Sequence, residues 1–291
     1  MPLLAASLLL RGVGTVPSAA PPRPLLAATA IQLHSDVSVQ PVYDFNLQND
    51  KLRTDVDVVS IHEDAGWGVP WEHFLAADGS SAPPPAAWSA HIRAMEAALA
   101  PGGVWRTARG SFLTLSLVNN GLGRTCPASN VTTSGGSDPF VGPTTGPCTG
   151  CYDFDPGRNP EAALVRAAHL KYVQAMVRWL KPRYLCHAPE VNMYASACPA
   201  EQWAAVVDFA NDVYKAAKSA NASMSVFPSF QAAYLRGEID AAPCSERPVG
   251  PCVAAAKRQI EPLERDLFAL SAYPSFLGAP KVSQPSFRDV P

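Results

Sequence analysis

The chain has 291 residues, of which 47% are hydrophobic and 16% charged, so it is long and apolar enough to bury a core of its own. A net charge of −2, with no run of Lys and Arg among aromatic residues, argues against nucleic acid as a partner. The apolar stretches are shorter than the roughly 18 residues that cross a bilayer, so no membrane span is predicted.

Residues 1–30 are predicted to form a signal-like leader and a linker, because a short apolar run is followed by small residues, although no basic segment precedes it. Two Asn-x-Ser/Thr acceptors, at Asn130 and Asn221, agree with secretion. In an oxidising compartment the cysteines would form up to three disulfides and leave one thiol. The seven cysteines are Cys126, Cys148, Cys151, Cys186, Cys198, Cys244 and Cys252. The sequence therefore predicts a secreted or secretory-pathway protein.

Residues 31–291 are predicted to form one domain, in which strand-like apolar runs alternate with amphipathic helices and a Cys-, Gly- and Pro-rich insertion covers 124–158. The predicted strands are 56–61, 111–118, 183–188, 223–227 and 267–271, and the predicted helices are about 88–99, 159–180, 200–219 and 252–264. This order indicates an α/β fold with a parallel sheet, and the polar residues after each strand favour a (β/α) TIM-type barrel. A doubly wound sheet would show the same alternation, but its usual Gly-rich phosphate loop is missing.

The sharpest chemical motif follows the strand at 183–188. Glu190 and Asn192 come directly after this strand and, being two residues apart, can point the same way. His187 precedes them and is a candidate for the lining of a cleft or for a metal ligand. The competing interpretations are a solvated loop carboxylate for Glu190 and a packing residue for His187.

At this motif the chain resembles the retaining barrel glycoside hydrolases. The matching features are a strand ending Glu190-Val-Asn192, a helix with Trp203 and Tyr214, a strand ending Phe-Pro-Ser, and a strand reading Leu-Ser-Ala-Tyr-Pro274. In pattern they are most similar to glycosyl hydrolase family 53, the arabinogalactan endo-β-1,4-galactanases.

The resemblance covers about residues 55–276 and implies that Glu190 is the general acid/base and that Tyr273 lies near the nucleophile. The chemistry agrees, because a partly shielded carboxyl can hold a proton near neutral pH and deliver it to a glycosidic oxygen. Pro189 stands where family members have Asn, and no Glu follows Tyr273 before Pro291 to act as the nucleophile of the seventh strand. The barrel is therefore expected to be truncated after about the sixth strand.

Further sugar-binding residues are predicted after the first strand and at the end of the second. Carboxylate and imidazole groups suit sugar hydroxyls, and indole rings stack on pyranose rings. Some of these residues would instead be loop caps, turn residues or core aromatics. The substrate-binding candidates are His62, Glu63, Asp64, Trp67, Trp71, Asn119, His187, Asn192 and Tyr273.

Other catalytic signatures are weak or missing. Cys148-Thr-Gly-Cys151 has the spacing of a redox or zinc pair, but no second such pair lies nearby, so structural disulfides are favoured. The sequence has no G-x-S-x-G, H-E-x-x-H or phosphate-loop motif. No metal and no cofactor are predicted.

These observations favour a monomeric, secreted glycoside hydrolase-like protein that acts on a β-linked oligo- or polysaccharide by a retaining acid/base mechanism. The alternative is a non-catalytic carbohydrate-binding protein, or a degenerate barrel, that lacks the nucleophile.

Overall fold

The computed structural model describes residues 8–11, 28–31, 58–63, 68–75, 83–103, 110–119, 124–132, 137–235 and 249–271. The strands are β1 (Leu8–Arg11), β2 (Ala28–Ile31), β3 (Val58–His62), β4 (Ser111–Thr114), β5 (Asn130–Val131), β6 (Ser137–Asp138), β7 (Val141–Gly142), β8 (Gly146–Pro147), β9 (Tyr184–Ala188), β10 (Ser225–Gln231) and β11 (Leu267–Ser271). The helices are α1 (Trp71–Leu75), α2 (Ala86–Leu99), α3 (Glu161–Leu180), α4 (Asn192–Ala197), α5 (Ala200–Ala220), α6 (Ala232–Leu235) and α7 (Val249–Ile260).

The main sheet has seven strands in the order β1-β11-β10-β9-β4-β3-β2. All are parallel except β1, which pairs antiparallel with β11 at one edge. From β2 to β11 the strands stand in chain order, and the described part of the sheet lacks the order reversal of a doubly wound fold. The α/β class and the parallel sheet are thus confirmed, and the sheet is compatible with part of an α/β barrel.

Both faces of the sheet are buried, as expected for parallel strands. Val59, Ile61 and Leu113 belong to the large core that the sheet shares with the helices. Their sequence neighbours Val58 and Phe112 belong to a smaller cluster on the opposite face, because alternate side chains of a strand point to opposite sides. The other buried members of that smaller cluster are Cys186, Phe227 and Ala269.

The predicted helices and strands recur in the structure, with shifts at their ends. The strand predicted over 111–118 leaves the ladder at Thr114, and Val118 forms an isolated bridge with Pro127 of the insertion. The strand predicted to end at 227 continues to Gln231. The sequence does not predict β1 and β2, which lie in or beside the segment assigned to a leader, and that assignment stays a prediction.

α3 begins where the sequence predicts. Asn159 Oδ1 accepts a hydrogen bond from the N–H of Glu161 at 3.2 Å, so it occupies a backbone donor at the start of the helix. The helix ends at Leu180 because Lys181 takes a left-handed conformation, with φ 46°, and Pro182 follows.

Two disulfides hold the insertion. Cys126 pairs with Cys148, and Cys151 pairs with Cys198, so the structural interpretation of the Cys148-x-x-Cys151 spacing is confirmed. Cys186 is buried and is not in a disulfide. Cys244 and the side chain of Cys252 lie outside the described residues. Disulfides are compatible with secretion.

Among the described residues, no helix combines the length and apolar character that a bilayer crossing needs.

Candidate active site at the carboxyl edge of the sheet

Glu190 lies in a tight turn just beyond the carboxyl end of β9. β9 ends at Ala188, and α4 begins at Asn192. Between them Glu190 takes a left-handed conformation with φ 50°, which costs free energy for any residue that carries a Cβ. The turn brings Glu190 beside Ser229 of the neighbouring strand β10, and so to the edge where α/β folds place their active sites.

Glu190 is held through its backbone and through one carboxylate oxygen. Its N–H donates to Ser229 Oγ at 3.1 Å, and its carbonyl accepts from the N–H of Met193 at 3.0 Å. Its Oε2 accepts from Arg124 Nη2 at 2.9 Å. Its Oε1 has no hydrogen-bond partner among the described residues, although Glu190 is only 7% exposed. A buried acceptor without a partner is rare in proteins and calls for an explanation, such as a functional role.

Arg124 comes from the start of the insertion and is a site residue that the sequence analysis missed. It also has a φ of 50°, and its Nη1 donates to the carbonyl of Asn119 at 3.4 Å. Arg124 and Glu190 are 66 positions apart in the chain. No local motif marks this arginine, so only the fold reveals the pair.

Asn119, a predicted sugar ligand, is hydrogen bonded to the loop that carries Arg124. Its N–H donates to the carbonyl of Cys126 at 2.8 Å, and its Oδ1 accepts from the N–H of Cys126 at 3.2 Å. Asn119 therefore joins the end of the β4 segment to the loop that carries Arg124.

Asn192 forms a comparable brace on the other side of Glu190. Its Nδ2 donates to the carbonyl of Gln231 at 3.2 Å, and its Oδ1 accepts from the N–H of Gln231 at 2.8 Å. This pair ties the start of α4 to the end of β10. The predicted contact of Asn192 with sugar stays a prediction, while its contact with the backbone holds the turn that contains Glu190.

Burial changes the interpretation of Trp71 and His187. Trp71 is 2% exposed, its Nε1 donates to the carbonyl of Ala128 at 2.9 Å, and its ring packs against Phe140. His187 is completely buried, with its ring 6.5 Å from that of Tyr214 on α5. Both side chains are thus buried in the described structure, and their predicted contact with sugar stays a prediction.

The burial of His187 also fixes its charge state. Burial lowers the pKa of His187 to about 4, and it lowers the pKa of His169, on α3, to about 3. Both imidazoles are therefore neutral at pH 7, and both lie in the region where helices pack on the sheet.

His62 and Glu63 follow one another at the end of β3 but have different surroundings. The Nε2 of His62 is 3.2 Å from Ser60 Oγ, and its ring packs edge-on against Phe112. The two carboxylate oxygens of Glu63 are 3.0 and 3.3 Å from the Nε2 of His91 on α2. His91 is a second partner that the sequence analysis did not single out.

Glu63 lines a small cleft beside Asn119. The cleft is partly open to solvent and has room for about one water molecule. Gly68 forms part of the wall with φ 75°, and a Cβ at this position would lie 2.5 Å from the carbonyl oxygen of Ser129. The lining residues are Glu63, Gly68, Val69, Ser116, Val118, Asn119, Ala128, Ser129 and Tyr172.

The structure thus joins some of the predicted residues. Arg124 connects Glu190 to Asn119, and Asn119 shares a cleft with Glu63. Asp64, Trp67 and Tyr273 lie outside the described residues. Within the described segments, no group of three or more His, Cys, Asp or Glu side chains could hold a metal ion.

Comparisons with family models, with curated proteins and with solved structures find no match for this chain.

Proposed function

We propose that this chain is a carbohydrate-active protein of the barrel glycoside hydrolase type, with Glu190 as a catalytic carboxylate that acts on a β-linked polysaccharide. The observation that supports the proposal is the state of Glu190 itself. Its backbone is strained, its position is fixed by Ser229, Met193 and Arg124, and one oxygen is left without a partner among the described residues.

Backbone strain at Glu190 supports a functional role. A left-handed residue with a Cβ costs about 1–3 kcal/mol and persists where the surrounding structure over-determines it. Pro189 and Glu190 form a turn that a solvated loop could make at lower cost with Gly or Asn at position 190. The turn instead places a nearly buried carboxylate there.

The sheet supports the proposed fold. Strands β2, β3, β4, β9, β10 and β11 are parallel and run in chain order, which is the arrangement in a TIM-type barrel. We propose that they are the first six strands of such a barrel. On this proposal Glu190 follows the fourth strand, where the resemblance to family 53 places the acid/base.

The proposed chemistry assigns a different task to each carboxylate oxygen. Oε2 stays hydrogen bonded to Arg124, while Oε1 of the protonated carboxyl group gives its proton to the glycosidic oxygen. The carboxylate that results then removes a proton from the attacking water, which restores the carboxyl group. A retaining reaction also requires a nucleophilic carboxylate about 5–5.5 Å from the acid/base. Within the described residues, Arg124 and Ser229 are the side chains hydrogen bonded to Glu190.

The test is Glu190→Gln, assayed by the reducing ends released from β-1,4-galactan and from soluble β-1,3- and β-1,4-glucans. Removal of an acid/base lowers kcat by about 10²–10⁴-fold, and the neutral amide is expected to leave oligosaccharide binding nearly intact. Glu96→Gln is the matched control, because Glu96 is exposed on α2, and it is expected to keep the activity of the native protein.

Two results would change the proposal. Equal loss of binding and of folding in Glu190→Gln would make Glu190 a structural residue. Binding of these glycans by the native protein, with no reducing ends released, would support the non-catalytic carbohydrate-binding alternative.

A further inference from the structure

We infer that Arg124, supplied by the disulfide-linked insertion, is the positioning residue of the proposed site: it fixes Oε2 of Glu190 and so keeps Oε1 in one position. This inference rests on the proposed function. It assigns to the insertion a role in the reaction in addition to its place in the fold.

The ion pair between Arg124 and Glu190 is buried. The side chains of Arg124 and Glu190 are 6% and 9% exposed, and their charged atoms are 2.9 Å apart. Moving two charges out of water costs several kcal/mol per ion, and a buried ion pair is often no more stabilising than apolar residues of the same size. Stability alone therefore does not account for this pair, whereas fixed geometry does.

The backbones of Arg124 and Glu190 are both held in place. Glu190 and Arg124 each have a φ of 50°, in turns where the strain is balanced by other contacts. On the Arg124 side, the loop is clamped by the reciprocal hydrogen bonds of Asn119 and Cys126, and Cys126 is linked to Cys148. The guanidinium therefore approaches Glu190 from a rigid support.

The hydrogen bond from Arg124 also fixes the plane of the Glu190 carboxylate. If Oε2 were released, the carboxylate could turn about its last bond through a broad range of angles. A charge-assisted hydrogen bond from Arg124 Nη2 restricts this rotation. The oxygen without a partner, Oε1, then stays in one place, as proton transfer to a bound substrate requires.

The experiment compares Arg124→Ala, Arg124→Lys and the native protein in the galactan and glucan assays. We expect Arg124→Ala to lower kcat by about 10²-fold with a much smaller change in KM, because a loosely held catalytic group loses orientation more than affinity. Addition of about 20 mM methylguanidinium should restore part of the activity of Arg124→Ala, since it can occupy the vacated site and donate to Oε2. Arg124→Lys should lie between the two.

Arg158→Gln is the matched control. Arg158 lies in the same insertion, carries the same charge, and pairs with Asp153 and Asp155 at the surface. It should keep native kcat and should not respond to methylguanidinium. Circular dichroism and thermal unfolding identify any variant that fails to fold.

A substrate-independent measurement accompanies these assays. The ¹³C signal of the Glu190 side-chain carboxyl, assigned with Glu190→Gln, is recorded at pH 7 in the native protein, in Arg124→Ala and in Arg158→Gln. It should move in Arg124→Ala and stay in place in Arg158→Gln. If it does not move in folded Arg124→Ala, the pair does not exist in solution and the inference is overturned.

The outcomes separate the two proposals. A native protein that is active on these glycans, together with a folded Arg124→Ala variant that keeps kcat within about threefold of the native value or is not rescued, overturns the role of Arg124 and leaves the proposed function standing. A native protein that releases no reducing ends contradicts the proposed function. In that case the role of Arg124 holds only if its replacement moves the carboxyl signal and weakens binding of β-1,4-galacto-oligosaccharides. Absence of both hydrolysis and binding overturns both.

Discussion

At the scale of single residues, buried carboxylates in this protein have contrasting partners. One carboxylate oxygen of Glu190 accepts a hydrogen bond from Arg124. The carboxylate of Glu161, at the start of α3, accepts hydrogen bonds from uncharged donors instead. Glu161 Oε2 accepts from the N–H of Thr144 at 2.8 Å and of Thr145 at 2.9 Å, and both threonine hydroxyls also donate to this carboxylate. Burial alone would raise the pKa of Glu161, but these hydrogen bonds together lower it below its usual value.

We predict that Glu161→Gln destabilises the protein by about 2–4 kcal/mol, because hydrogen bonds to a charged group are worth about 1.5–3 kcal/mol each and are only partly replaced by an amide. Urea unfolding at pH 7 measures this free energy. The loss of unfolding free energy should be smaller at low pH, because the native carboxylate is then protonated and no longer carries the charge that Glu161→Gln removes. An equal loss at pH 7 and pH 3 would show that the negative charge is not what the threonines stabilise.

The two buried histidines are expected to make the folded protein less stable at acidic pH. The pKa of His169 is lowered to about 3 and that of His187 to about 4, mainly by burial, whereas an unfolded histidine titrates near 6.5. Below pH 6.5 these two histidines therefore become protonated in the unfolded chain, whereas in the folded protein they stay neutral until the pH approaches their lowered pKa values. The stabilisation is complete above pH 6.5 and is lost as the pH falls toward 4.

We expect each histidine to cost about 2 kcal/mol of unfolding free energy between pH 7.5 and pH 5. Denaturant unfolding as a function of pH measures this loss. His169→Phe removes one titrating group from an aromatic environment formed by Trp71, Tyr172 and Phe209, so its stability should depend less on pH than that of the native protein. A pH dependence of the unfolding free energy that is unchanged by this substitution would mean that His169 takes up its proton equally well in the folded and unfolded states.

At the scale of secondary-structure elements, the sequence predicts what depends on neighbouring residues. The periodicity of α3 and α5, the Asn159 cap and the stop at Pro182 are local signals, and the structure agrees with them. The end of β4 at Thr114 could not be predicted, because the apolar run continues to Val118, which forms an isolated bridge with Pro127 of the insertion. The insertion looks unstructured in sequence, yet its elements are held by contacts with α3 and α5.

The disulfide Cys126–Cys148 is expected to stabilise this insertion. It closes a loop of 22 positions, for which the loss of chain entropy in the unfolded state amounts to about 3 kcal/mol. Replacement of both cysteines by serine should lower the thermal unfolding temperature accordingly and loosen the segment that carries Arg124. Calorimetry measures the first effect. A double variant as stable as the native protein would show that the Glu161 contacts hold the insertion by themselves.

At the scale of the whole molecule, the candidate site shows where sequence interpretation ends. Glu190 is predicted because it directly follows a strand. Arg124 is missed because its partner is 66 positions away. The burial of Trp71 is not predicted, because an indole suits a core as well as a sugar. Strand order, too, depends on pairing across the sheet, so the alternation of elements gives the α/β class but not the sequential arrangement from β2 to β11.

The disulfide Cys151–Cys198 has a topological consequence for the same region. It joins residues 47 positions apart, so α3, β9 and Glu190 all lie inside one covalent ring. A protease that cuts the backbone once within this ring opens the chain without releasing a fragment. The two pieces stay joined until a reductant reaches the bridge, so the turn that carries Glu190 can survive damage that would detach it from an uncrosslinked sheet.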